Sequence, residues 1–286
     1  ASTFTLPADS VKNKKTRKII FGTSAAVAAG GSLVYLNQAW YKPYSTGNFH
    51  FFADGDEWQQ MDKVGHVWTT YQTGRLMMQS MKWAGFTKGQ SQLIGASSGF
   101  FYMTAIEVMD GFSSGYGFSW ADMGANAAGT YLAWFQQHLW EEQRIGVKFS
   151  FHQTSFPKYR PTLLGVNLGE QILKDYNGQT YWLSVNPSSF LGKENKFPKW
   201  LNIAFGYGAT GMISGDDNYV YVGSDGKVIG NDRYRLYFLS LDLDLTRIKT
   251  RSRFLKGLFS ALNCLKIPFP AIELNKAGFT GHLLYF

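Results

Sequence analysis

The chain has 286 residues, of which only 17% are charged while another 17% are aromatic (9 Trp, 16 Tyr and 23 Phe); an average soluble domain carries about 25% charge. A mean hydropathy of -0.18 excludes a polytopic membrane protein made of continuous apolar helices, and the aromatic, Gly-rich, charge-poor balance points to a membrane interface or a larger assembly. The net charge is +8, yet no zinc pattern, stacking motif or nucleic-acid fold accompanies it, so the basic balance argues for an anionic membrane or an acidic partner and against nucleic acid. A single cysteine, Cys264, excludes an intrachain disulfide framework and a Cys-based metal site.

A start at Ala1 instead of Met is compatible with removal of a secretion signal. Lys12, Lys14, Lys15, Arg17 and Lys18 then precede an apolar run from Ile19 to Leu36. The spacing predicts a helix, either buried in the fold or lying in a membrane interface. An aromatic connector from Trp40 to Phe52 follows, broken by Pro43 and Gly47. A second helix is predicted from about Glu57 to Trp83, with Gly85 as its C-cap. Thr87-Lys88-Gly89-Gln90 reads as a capping box opening a third helix that ends near Asp110-Gly111. Ser119-Trp120-Ala121-Asp122 repeats the signal for a fourth, running to about Arg144. Small residues crowd these segments (Gly95, Gly99, Gly124, Ala125, Ala127, Ala128, Gly129), which lets helix backbones approach closely.

Beyond the helices the period changes to two. Leu239, Leu241, Leu243 and Leu245 alternate with Ser240, Asp242, Asp244 and Thr246, a strand with one apolar and one polar face. Trp200 to Ile213 and Tyr219 to Val222 also read as strands, and Asn177-Gly178 and Asp225-Gly226 as hairpin turns. The closing run Gly281 to Phe286 resembles the last strand of an outer-membrane barrel. About six strands are nonetheless fewer than the minimum of roughly eight for such a barrel, so a sheet packed on the helices is expected. No internal repeat is visible.

Three pairs of polar residues lie at helical spacing: Asp62 and His66, Glu107 and Asp110, Asp122 and Asn126. Each pair shares one helix face. If the helices pack, these side chains, with Lys63 and Ser119, converge on one place. Such a cluster can be an internal hydrogen-bonded fastening of the bundle. It can also hold a divalent metal or small ligand, through Asp62, His66, Glu107 and Asp110, or perform acid–base chemistry. No Ser or Cys stands beside a base in a recognisable motif, so covalent catalysis has no support.

Asp62-Lys63-Val64-Gly65-His66, then Glu107-Val108-Met109-Asp110-Gly111, then Gly117 to Gly129 with Asp122 and Asn126 form an ordered set. It resembles the YfiM-like family of predicted periplasmic lipoproteins. It is more distantly similar to the VanZ-like membrane proteins, which share a D-K-x-x-H, E and D-x-x-x-N-x-x-G pattern. The chain departs from the first family in having no lipobox Cys at its start, which withdraws support for a lipid anchor. Phe49-His50-Phe51-Phe52, Lys174 to Pro187, Phe197 to Asn202 and Leu241 to Thr250 have the character of the long version found in Bacteroidota. The resemblance implies a non-enzymatic protein of the periplasm, at the inner face of the outer membrane. It also implies a partner, a large outer-membrane β-barrel translocon (SprA-like) of type IX secretion, whose periplasmic opening the chain would plug. No catalytic residue and no cofactor is implied.

Arg247, Lys249, Arg251, Arg253 and Lys256 form a basic segment that reads as a solvated face or as a contact for an acidic partner or anionic lipid. Ser214 to Asn218 lacks EF-hand spacing and reads as a polar turn, and His50, His138, His152 and His282 are scattered. The expected fold class is therefore α+β. It comprises a helical region over 1–148, a linker over 149–177 and an antiparallel β region over 178–286, open or barrel-like at most, sharing one core with the helices.

Overall fold

The computed structural model describes residues 11–42, 44–192, 194–216, 219–223, 226 and 228–286, with the side chains of 11 and 12 left aside. Pro43, Asp217, Asn218 and Asp225, which the sequence reading uses as turn residues, lie outside that set. The chain is α+β, with the helices first and an open, six-stranded antiparallel sheet after them.

Helix α1 (Val11–Leu36) runs on into a π turn at Asn37–Tyr41. Helices α2 (Met61–Ala84), α3 (Lys88–Gly111) and α4 (Trp120–Trp140) form the bundle. The second helix starts four residues later than its apolar pattern suggests. Glu57–Gln60 form a separate 3₁₀ turn in which Trp58, Gln59 and Gln60 all have positive φ. The capping box at Thr87 forms as predicted, with Thr87 Oγ1 accepting from the Gln90 N–H and Gln90 Oε1 accepting from the Thr87 N–H. Gly85 closes α2 in the left-handed region at φ 87°. At Ser119 only half of the box is made: its hydroxyl accepts from the Asp122 N–H, while the Asp122 carboxylate turns inward.

Gly95, Gly99 and Gly129 act as the sequence suggests, while Gly124 has open space around it and Ala127 and Ala128 are exposed. A Cβ on Gly99 would lie 2.5 Å from the Thr70 carbonyl of α2, and one on Gly129 would run into the Val67 carbonyl, so α3 and α4 both approach the α2 backbone closely.

Strand β1 (Ile145–Phe151) begins directly after α4, so the predicted boundary at 148 falls inside a strand. Two short helices, α5 (Pro161–Leu164) and α6 (Leu168–Lys174), occupy the excursion to β2 (Gln179–Val185). Asn177-Gly178 is consequently not a tight hairpin turn: β1 and β2 pair antiparallel across this whole insertion. After β3 (Leu201–Thr210) come a minor ribbon of β4 (Tyr221–Val222) and β5 (Val228–Ile229), then β6 (Tyr234–Leu243). Helix α7 (Arg253–Leu262), β7 (Phe269–Asn275) and β8 (Gly278–Tyr285) complete the chain. The sheet order is β1-β2-β3-β6-β7-β8.

The sheet curls about one face. Trp182, Ala204, Leu236, Phe238, Ala271 and Tyr285 form a core inside the curl, and Tyr285 on the last strand reaches Thr180 on β2 through an O···O contact of 3.1 Å. The rest of this inner face is polar. Lys148 Nζ lies 2.7 Å from Asp242 Oδ2, both side chains at most 1% exposed. Ser184, Asn202 and Asn186 extend the network from Asp242 by hydrogen bonds of 2.7–2.8 Å.

The polar face of β6 is the inner one. Ser240 and Asp242 are buried and Leu239 and Leu241 are exposed, at 45% and 42%. The predicted alternation is present, and the polar set takes the inside because a paired charge within the curl holds it.

The helices cover only part of the outer face. Val147 packs with Tyr71, Met78 and Ala133 of α2 and α4, and Phe149 and Tyr181 pack with Met61. Gln72 and Tyr71 of α2 donate to the Val147 and Ile145 carbonyls, fixing bundle and sheet into one body.

Candidate functional site

The predicted polar cluster forms at the N-terminal end of α2, where α3 and α4 both meet it. Lys63 is its centre. Its ammonium lies 2.6 Å from Asp54 Oδ2, 3.0 Å from Asp62 Oδ2 and 2.9 Å from Asp122 Oδ1. His66 stands one turn further along α2. Its Nε2 is 3.7 Å from Asp62 and 3.8 Å from Asp122, and its Nδ1 is 3.1 Å from Asn126 Oδ1 and 3.6 Å from Glu107 Oε1. Ser119 ties the connector to the bundle: its hydroxyl donates to Asp54 and its N–H donates to Glu107 Oε2.

Of the eight residues singled out in the sequence, Asp62, Lys63, His66, Glu107, Ser119, Asp122 and Asn126 thus come together. Asp110 stands beside them and hydrogen-bonds the Tyr41 hydroxyl. Three participants escaped the sequence reading. Asp54 arrives from the connector, Tyr176 donates to Asp62 Oδ1 at 2.8 Å from the segment before β2, and Tyr41 comes from the π turn. None lies at helical spacing to the others, and spacing was the only signal available.

Burial and mutual charge set the protonation states. Burial opposes ionisation of Asp62, but the charges of His66 and Lys63 outweigh it and hold the carboxyl below its usual range. Burial likewise opposes a charged His66, and Asp62, Asp122 and Glu107 overcome it, so the imidazole is held above its ordinary value. Burial dominates at the remaining acids. It pushes Glu107 up to about 8 and Asp110 up to about 7. Asp122 is also raised, by burial and then by the neighbouring charge of Asp62. At neutral pH Lys63 therefore stands beside an ionised Asp62, while Glu107, Asp110 and Asp122 are only partly ionised.

One ligand atom each from Asp62, His66 and Asp122 lies within 4.8 Å of the others, a spacing that could admit a metal ion. The Lys63 ammonium, however, already stands between the two carboxylates at ion-pair distance. A divalent ion there would have to displace it at the expense of like-charge repulsion. Glu107 Oε1 and Asn126 Nδ2 are buried and have no hydrogen-bond partner among the described residues.

The basic segment is divided. Arg247 is engaged, donating to Asp244 at 3.0 Å and to Glu142 at 3.3 Å. Lys249, Arg251, Arg253 and Lys256 are exposed along the approach to and first turn of α7.

Residues 50–138 match a family described as predicted periplasmic lipoprotein (DUF2279). The match spans part of the connector and α2 to α4, with all eight predicted cluster residues, and none of the sheet. It supports a periplasmic protein. No curated protein and no solved structure matches the chain.

Proposed function

We propose that this chain is a non-enzymatic protein of the cell envelope that works by contact, docking on the periplasmic mouth of a large outer-membrane β-barrel translocon and closing it. This is the part played by the Plug protein of type IX secretion on the SprA barrel. The observation that carries the reading is the uncovered outer face of the sheet. Leu183, Phe205, Leu239 and Ile272 are cross-strand partners in one continuous row from β2 to β7, all 43–53% exposed. Tyr207, Tyr237, Leu274 and Phe279 form the next row. Ordered apolar rows on a rigid sheet, rich in aromatics and close to Arg235, have the make-up of a protein-binding surface. A cluster whose cation is supplied by Lys63 supports a structural role for the helical signature.

The test is cross-linking from native membranes through cysteines placed at Phe205 and Leu239 in a Cys264→Ser background. The expected product is an adduct with a giant outer-membrane barrel, identified by mass spectrometry. Recovery of no such barrel from either position would sink the plug reading.

A second reading, a metal- or ligand-binding protein or hydrolase acting through the cluster, draws on the convergence of Asp62, His66 and Asp122 and on the unpartnered Glu107 and Asn126 atoms. Stoichiometric metal that is lost in His66→Ala would favour it.

A further inference from the structure

Two helices of this chain present apolar surface that the body does not cover, and both start in basic sequence. Helix α1 touches the bundle along a narrow stripe (Phe21 against Phe86, Ser32 against Tyr102). Ile19, Ile20, Val27, Val34 and Tyr35 point away, 46–68% exposed. With its π turn it is long and apolar enough to cross a membrane, and none of its apolar window is fully buried in the body. Helix α7 is shorter and strongly two-sided. Phe254, Leu255, Leu258 and Leu262 lie at i, i+1, i+4 and i+8, one apolar face. Phe254 is 75% exposed, and no residue of the helix is buried. An amphipathic helix normally buries this face in its own protein, and α7 does not.

The two helices reach the same part of the body. The Arg75 guanidinium of α2 donates to the Ser260 carbonyl of α7 at 2.8 Å, and the Ser260 hydroxyl bonds Gln79. One turn further along α2, Arg17 of α1 lies 5.7 Å from the Trp83 ring centre, and Lys18 lies 4.6 Å from that of Phe86. The C-terminal half of α2 is therefore flanked by the basic start of α1 and by α7. The α7 approach carries Lys249, Arg251 and Arg253 with no acidic residue from 245 to 272.

We infer that α7 is an in-plane membrane anchor that lays its Phe254–Leu258–Leu262 face into an anionic phospholipid surface, with Lys249, Arg251 and Arg253 on the headgroups and α1 entering the same bilayer beside it. Charge complementarity selects the occupant. A protein groove of apolar lining would satisfy the apolar face alone, whereas basic residues flanking both apolar helices match the headgroup layer above an acyl layer. The arrangement needs nothing from the outer face of the sheet, so it stands or falls separately from the docking surface proposed above.

Because α1 alone could hold the chain on vesicles, the test reads α7 itself. Nitroxide labels are placed on the full chain in a Cys264→Ser background at Phe254→Cys and Leu258→Cys, and at Gly257→Cys as a control off the apolar face. Vesicles of phosphatidylglycerol mixed with phosphatidylcholine are then added, and accessibility to oxygen and to a water-soluble nickel chelate is measured. The expected result is that labels at 254 and 258 move into the oxygen-rich acyl region while the one at 257 stays accessible to the chelate. Neutralising Lys249, Arg251 and Arg253 together should weaken this insertion on the order of 100-fold, and pure phosphatidylcholine should give little of it. Unchanged chelate access at 254 and 258 on anionic vesicles would overturn the proposal, and so would equal insertion into neutral vesicles. The first outcome would point to a protein covering α7.

Discussion

Glu107 offers the sharpest check on the energetics of the cluster. Its carboxyl is 1% exposed, and burial raises it from 4.5 to about 8. The folded state therefore holds this proton more tightly than the unfolded chain, and folding loses stability as pH rises from about 4.5 to about 8. At roughly 1.4 kcal/mol per unit, the cost reaches about 3 kcal/mol by pH 7. His66 works in the same direction: its folded value is raised, so its contribution is complete below its ordinary range and is lost on raising the pH through the folded value. In Glu107→Gln the amide oxygen can still accept from the Ser119 N–H, and the titration is gone. Urea unfolding followed by tryptophan fluorescence at a series of pH values should show the parent losing stability between about pH 5 and pH 8, with a shallower slope in the variant. At about pH 8 the variant should be the more stable by a few kcal/mol. A variant weaker by the same amount at every pH, with the parent slope intact, would refute the reasoning and make Glu107 an ionised anchor of His66.

Lys63→Met leaves Asp54, Asp62 and Asp122 without their shared ammonium. It should cost about 3–5 kcal/mol, read as a fall in the thermal midpoint, with partial relief at acid pH where the carboxyls protonate. Lys148→Met breaks the fully buried pair with Asp242 and should cost a similar 3–5 kcal/mol or so, whereas Lys148→Met with Asp242→Leu should recover much of it. Gly129→Ala forces α4 away from the Val67 carbonyl. It should destabilise by about 1–3 kcal/mol, as overpacking does, while Gly124→Ala, with open space at that position, should be neutral or stabilising by chemical denaturation.

The helical half was largely legible because its signals are local. Thr87 with Gln90, the Ser119 cap, Gly85 and the pairs at i, i+3 and i, i+4 each report on a single turn, and the fold honours them. What was missed depends on distant partners. Asp54, Tyr41 and Tyr176 join the cluster through a connector, a π turn and a segment before β2, and nothing in their spacing indicates it. Strand β1 was missed although Val147, Phe149 and Phe151 alternate with Lys148 and Ser150 as a strand should; what no local signal gives is that the polar set is buried, which only the partner Asp242, nearly a hundred residues on, makes tolerable. Of the two expectations held open for α1, burial in the fold is the one the structure sets aside.

The outward apolar face of β6 bears directly on how strongly the chain could hold a partner. Alternation identifies a strand and gives its register. It does not say which face is inside, and here Lys148 and Asp242 decide that in favour of the polar set. The apolar rows then contribute only about half of what full burial would give to folding, since most of their side chains remain about half exposed. Covering them with a partner would gain on the order of 1 kcal/mol for each half-exposed side chain, taking roughly 1.5–3 kcal/mol for full burial. Summed over the two rows this is of the same order as the roughly 4–15 kcal/mol that association costs, so the sheet face alone supports only a weak complex in free solution. A second attachment changes the balance. If α1 and α7 hold the chain on the bilayer as proposed, a barrel in the same membrane is met at a high effective concentration, and a modest face would then be enough to keep it docked. It is also weak enough to be displaced, which closing a channel without blocking it permanently requires. On this argument the charge substitutions along α7 and the cysteines at Phe205 and Leu239 test two halves of one attachment. Loss of the first should lower barrel cross-linking from the second without changing the stability of the fold.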